Sequence, residues 1–189
     1  MRVVIDVGCA DYGAGNGGDS VTPLIERYHP DLFLGFDPQA EERAYLADER
    51  THWSNRFTQV VISAAAAWTR GGTVAFDSGG ATAGVPRGGE VFARYPCFDL
   101  AALLWALPHS AEKIVKVDIE GGEYPLLAHL EDAGAIELVD KFLVEWHSEL
   151  YSKGHDRARG RAHYEARYGR KFEREPHGLC RDYSAAAAT

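Results

Sequence analysis

Along the chain, short apolar runs alternate with longer stretches in which apolar positions recur every three or four residues. The first pattern suits strands buried on both faces and the second suits amphipathic helices, so their alternation predicts βαβ units around a parallel sheet. Residues 2–7 (RVVIDV) read as the first strand, opening into a glycine-rich loop. A helix follows through Tyr28, capped by Asp19 or Ser20 and tolerating Pro23 in its first turn. LFLGFDP at 32–38 is the second strand, 40–48 a helix on its Ala, Glu, Arg and Leu content, and 57–63 the third strand. Residues 72–77 form a short extra strand, and 78–96, rich in glycine and without periodicity, a long loop of the kind that is usually functional or disordered. A short helix at 100–107 ends at Pro108, and the fourth strand, 113–119, is interrupted only by Lys116 and Asp118. A helix at 125–132 has Gly134 placed as its C-terminal cap, and 141–146 is the fifth strand. A helix at 157–168 and a strand pair at 170–175 and 179–183 complete the sheet, with 184–189 a fraying tail. No internal repeat or linker divides the chain, so 1–189 reads as one domain.

Composition narrows the class. At 189 residues the chain can bury about 70 % of its unfolded surface and so hold a core without staples. No apolar run approaches the roughly 18 residues of a membrane helix, and no basic region precedes an apolar segment at the N-terminus. A cytoplasmic protein, away from membranes, is expected. Cys9, Cys97 and Cys180 are far apart and in no zinc spacing, which reads as reduced thiols. A formal charge of −8 disfavours nonspecific attraction to nucleic acid.

The candidate chemistry sits at the strand ends, where ligands bind parallel sheets. Asp6-Val7-Gly8 closes the first strand, and glycine there lets a ligand approach the backbone. Asp37 closes the second, where a carboxylate can accept both hydroxyls of an adenosine ribose, each charged hydrogen bond worth about 1.5–3 kcal/mol. The plainer reading makes Asp6 a loop-orienting or capping group and Asp37 a turn aspartate before Pro38. Gly13, Gly15 and Gly18 match GxGxxG, with Asp37 nineteen residues beyond, as a dinucleotide fingerprint asks. The fingerprint's first glycine should follow the strand directly, whereas five residues intervene, so the match reads as compositional. KVDIEGGEY at 116–124 places Asp118 and Glu120 on one side of a strand end, with Glu123 favouring a helix N-terminus. VEWH then brings Glu145 or His147 to the same edge. These carboxylates and the histidine do not have the spacing of a known metal motif, and no metal is expected. Between 153 and 174, eight Lys or Arg stand against three Asp or Glu, read either as a solvated helix face or as a phosphate-recognising patch through Arg157 and Arg161.

In the order VIDVGCADYG, GFDP, VIS, FDLAALL, IVKVDIEGGEY and LVEWH, over roughly residues 2–147, the chain resembles the FkbM-type methyltransferases, with DIEGGE the most specific block. The resemblance implies an α/β, Rossmann-like three-layer sandwich around a mostly parallel seven-stranded sheet of order 3-2-1-4-5-7-6. It implies methyl transfer from S-adenosylmethionine, commonly to a hydroxyl of a sugar or secondary metabolite. By matching position, Asp6, Gly8 and Asp11 line the methionine part of the cofactor, Asp37 the ribose, and Ser63 with Ala64 the adenine side; Cys9 counts among the cofactor-binding residues. Asp118, Glu120 and His147 face the acceptor as the catalytic group.

For an alcohol acceptor, His147 is the natural base, since its ordinary pKa lies near 6.5, while Asp118 needs a raised pKa to serve and Glu120 orients the acceptor. The plainer readings are a structural histidine and capping carboxylates. The chain opens at its first strand, so acceptor recognition is expected from 78–96, from the basic tail or from another subunit. The partner expected is a small molecule, a glycan or an acidic metabolite; oligomeric state is left open. Two other classes stand beside this one: a nicotinamide-dependent oxidoreductase, on the strength of GxGxxG, and a non-catalytic binding module on the same fold.

Overall fold

The computed structural model of the chain describes residues 1–9, 20–39, 58–76, 93–147 and 159–173. Five strands, β1 (Arg2–Val7), β2 (Leu32–Phe36), β3 (Gln59–Ser63), β7 (Glu112–Val117) and β8 (Lys141–Val144), form a wholly parallel sheet of order β3-β2-β1-β7-β8. A second, mixed sheet of order β4-β6-β5 comprises β4 (Ala66–Trp68), β5 (Gly72–Phe76) and β6 (Ala93–Asp99). The chain is therefore α/β. The expected single sheet of seven strands is corrected to five plus three among the described residues. Of the last strand pair, only Phe172 is seen in the ladder, as an isolated parallel bridge to Phe142 at the β8 edge; 179–183 lie outside the described residues.

The strand code explains the layers. Alternate residues of a strand point to opposite faces, and here both faces are apolar. Val4, Phe33, Val60, Ile114 and Leu143 pack under helix α1 (Val21–Tyr28), whose buried Val21, Leu24, Ile25 and Tyr28 recur at the helical period. Val3, Ile5, Val7, Val115, Val117, Phe142 and Val144 pack on the other face, against α2 (Leu100–Ala106), α3 (Glu123–Asp132) and α4 (Arg161–Tyr168). Asp99 caps α2 by accepting from the amides of Ala101 and Ala102. Gly134 stands just past α3 in the left-handed region (φ 66°), the cap expected of it. Ser20 precedes α1 but makes no capping bond; its hydroxyl goes elsewhere.

Several boundaries moved for identifiable reasons. Residues 93–96, expected in a loop, belong to β6, because β5 supplies a full antiparallel partner. Pro96 disguised this strand; it stands opposite Thr73 of β5, one residue before the pairing with β4 begins at Cys97. β4 itself, three residues long, is too short for a periodicity to reveal. α3 starts two residues earlier than expected, at Glu123, and α4 starts at Arg161. The expected helix at 40–48, the glycines at 13, 15 and 18, Asp11, Arg157, Cys180 and 184–189 lie outside the described residues.

In the described part of the basic segment several cations pair with acids, and Arg157 lies outside the described residues. Glu131 of α3 lies 3.1 Å from Nε2 of His163 and from Arg167, 3.0 Å from the donating hydroxyl of Tyr168 and 3.7 Å from Arg159. Arg159 also pairs with Asp132 at 2.6 Å, and Arg161 with Glu165 one turn on. No helix among the described residues is long and apolar enough to cross a membrane. Because Glu131 gathers α4 onto α3, Glu131→Ala is expected to cost about 1–3 kcal/mol, the scale of a charged hydrogen-bond cluster. Urea unfolding, with limited proteolysis after α4, measures it.

Candidate functional site

Parallel pairing places the carboxyl ends of all five strands along one edge of the main sheet. From one side to the other the edge carries Ser63 and Ala64 after β3, Asp37 after β2, Gly8 after β1, Asp118 after β7, and Glu145 to His147 after β8. Backbone bonds continue the ladder there: Asp37 N–H donates to Ser63 O (3.2 Å), Gly8 to Phe36 O (2.8 Å), Asp118 to Val7 O (2.9 Å) and Glu145 to Val117 O (2.9 Å). The chain runs from β1 outward to β2 and β3 on one side and from β7 to β8 on the other. The reversal of strand order thus falls between β1 and β7, where α/β sheets leave a crevice.

Gly8 marks the narrowest point. Its φ of 83° is left-handed, and a Cβ built on it would stand 1.8 Å from the carbonyl oxygen of Asp118. No side chain fits. Cys9 follows with its thiol packed in the cluster beneath α1, where burial pushes its pKa well up; its contribution to the edge is backbone. Asp37 is buried and accepts the Gln39 amide at 2.7 Å, the turn role expected of an aspartate before proline.

Two charge clusters flank the crevice. In the first, Asp6 is fully buried, accepts a hydrogen bond from the Ser20 hydroxyl and faces the ammonium of Lys116 at 3.4 Å. Lys116 is itself 1 % exposed and reaches Asp118 Oδ2 at 3.2 Å and the Gly8 carbonyl at 3.3 Å. Burial outweighs Lys116 and Ser20 and raises the Asp6 pKa to about 6.

The second cluster is built by the turn after β7. Glu120 has φ 54° and Gly121 φ 98°, and the turn folds back so that the amides of Ile119 (3.0 Å) and Gly121 (3.0 and 3.2 Å) donate to the buried Glu123 carboxylate at the start of α3. Gly122 is closely packed: a Cβ would meet the tip of the Ile119 side chain at 2.9 Å and the Trp68 ring at 3.0 Å, so the second sheet abuts this turn. Glu123 Oε1 then accepts from Nδ1 of His147 at 2.9 Å, which leaves Nε2 turned to Glu120 (3.4 Å) and Glu145 (3.9 Å). The Tyr124 hydroxyl donates to the His147 carbonyl at 2.7 Å and fixes its backbone. Burial disfavours the imidazolium, but the hydrogen bond and charge of Glu123, followed by the charges of Glu120 and Asp118, prevail and hold the pKa at about 9.

No protein-family model, no curated protein and no solved structure matches this chain. The site therefore rests on its own geometry.

That geometry brings Asp118, Glu120 and His147 together, and it sets Asp6, Gly8, Asp37 and Ser63 along the same edge. Asp118, Glu123 and His147 offer donor atoms within 4.8 Å of one another, a cation-sized set, although Glu123 spends its oxygens on two amides and the imidazole. Two roles went unread in the sequence. Glu123 is the group that orients His147, beyond favouring a helix start, and Lys116 is the cation between Asp6 and Asp118. The signal for Lys116 was present: a lysine inside a strand apolar on both faces must find a buried partner.

Linkage turns the His147 shift into a stability statement. The folded chain binds this proton more tightly than the unfolded chain, whose histidine titrates near 6.5. The stabilisation is complete below pH 6.5 and lost as pH rises through 9, and it amounts to about 3 kcal/mol. Denaturant titrations across pH 6–9.5 are expected to show that fall in wild type and a flatter profile in His147→Gln.

Proposed function

We propose that the chain is an S-adenosylmethionine-dependent methyltransferase acting on a hydroxyl of a sugar or small metabolite, with a Rossmann-like sheet as its scaffold. The observation that carries the reading is the reversal of strand order between β1 and β7, where a glycine-tight strand end adjoins an oriented histidine–carboxylate pair. The residues present fit such a cofactor. Asp37 stands just past the end of β2, and Asp6 and Gly8 stand at the end of β1 beside it in the sheet. In this reading Gly8 and Asp6 shape the methionine side, Asp37 the ribose side, and Ser63 and Ala64 the adenine side.

The cofactor supplies an electrophilic methyl group, and the chain's task is to orient the acceptor and take its proton. Holding two reactants in attack geometry is worth about 7–11 kcal/mol of a barrier. Nε2 of His147 is the base, held by Glu123 through Nδ1, with Glu120 and Glu145 placed to accept a hydroxyl and fix its angle. With its pKa near 9, His147 is neutral in only about one molecule in a hundred at pH 7, so turnover climbs with pH.

Calorimetric titration separates the classes: S-adenosylhomocysteine is expected to bind and NAD not to, and the reverse result would sink the reading. With an acceptor in hand, methylation should rise tenfold per pH unit below about 9, and His147→Ala should abolish that limb. An unchanged profile in His147→Ala would remove His147 as the base.

A further inference from the structure

Lys116 lies directly opposite Asp6 in the register of β1 and β7, and Asp118 follows two residues later. Its ammonium is enclosed by two carboxylates from adjacent strands and by the Gly8 carbonyl, at 3.4, 3.2 and 3.3 Å. Those three acceptors belong to the two sides of the crevice: Asp6 and Gly8 to the end of β1, Asp118 to the end of β7. Packing alone does not call for a charge here. The neighbours Ile114, Val115 and Val117 are apolar, and a buried ion pair replaced by apolar residues of similar volume is often as stable or more so. What an apolar residue could not do is hold two carboxylates and a left-handed glycine turn at once.

We propose that Lys116 is a positioning residue that couples the two halves of the crevice, its ammonium fixing the Gly8 turn on the cofactor side and the Asp118 carboxylate on the acceptor side in one arrangement. The proposal rests on the S-adenosylmethionine reading of the crevice. Ser20 extends the same linkage to the start of α1, because its hydroxyl donates to the other oxygen of Asp6. Without the ammonium, Asp6 and Asp118 lose the cation that stands between them and the Gly8 carbonyl loses a donor. The cofactor side then loosens through Asp6, while Asp118 shifts on the acceptor side.

The test is a double-mutant cycle read by calorimetric titration with S-adenosylhomocysteine, on wild type, Lys116→Met, Asp6→Asn and the combined variant. Each single change is expected to weaken binding by about tenfold, and the combined variant no more than the weaker single, since the two groups act as a unit. The combined variant removes the ion pair whole, so it tests the coupling even where Lys116→Met alone folds poorly. Hydrogen exchange gives a readout that a merely structural lysine would not move. In Lys116→Met the amides of Gly8 and Asp118, which donate to Phe36 and Val7, should exchange faster while the mid-strand amides of β1 keep their protection. Unchanged affinity with a uniformly lowered Tm would overturn the proposal, as would losses that simply add. A wild type that fails to bind S-adenosylhomocysteine would sink the cofactor reading and the coupling with it; wild-type binding with an unaltered Lys116→Met overturns the coupling alone.

Discussion

Negative charge gathered at one buried sheet edge is the constraint on which the arrangement turns. Asp6, Asp37, Asp118, Glu120, Glu123 and Glu145 all fall within or beside the carboxyl ends of four of the five parallel strands, and Asp6 and Glu123 are fully buried. A buried carboxylate is tolerated only where donors replace its water. Each has found its own solution: Asp6 takes Ser20 and Lys116, Asp37 takes the Gln39 amide, and Glu123 takes two turn amides and an imidazole. The two cations that serve them, Lys116 and His147, are themselves nearly inaccessible, so each cluster is held from within.

The need to satisfy Glu123 places the backbone strain at the turn after β7. Glu120 adopts a left-handed φ that a side chain rarely takes, and Gly121 follows it with a positive φ of the kind that favours glycine. The return is that the amides of Ile119 and Gly121 converge on Glu123, and a carboxylate so held is a strong, fixed partner for His147. Tyr124, next along α3, ties the His147 backbone from the other side. The histidine is thereby oriented by consecutive residues of one helix start.

The parallel core was legible in the sequence because a strand buried on both faces reads as a near-continuous apolar run, and RVVIDV, LFLGF and KFLV come close to that, with Asp6 the one charge inside them beyond the opening Arg2 and Lys141. The row of site residues followed, since parallel strands end on one side. The second sheet was not legible: β4 has three residues, β6 contains Pro96, and both are specified by partners distant in sequence. Nor was the partnership of Glu123 with His147, for a carboxylate at a helix start is explained locally by the helix dipole. Its hydrogen bond across 24 residues depends on where β8 ends beside β7. The pairing of the basic segment was hidden for a similar reason, because the acids beside Arg159 and Arg167, Glu131 and Asp132, lie on a different helix.

The balance of stability and chemistry points the same way. His147 stabilises the fold as a cation, yet a base must be neutral, so the charges that make it a good structural element oppose its use at neutral pH. Nε2 is turned toward Glu120 and Glu145, beyond the last pairing of the sheet. The charge of Glu120 favours the imidazolium, so a carboxylate that stabilises the folded chain also sets how high the pH must rise before Nε2 loses its proton.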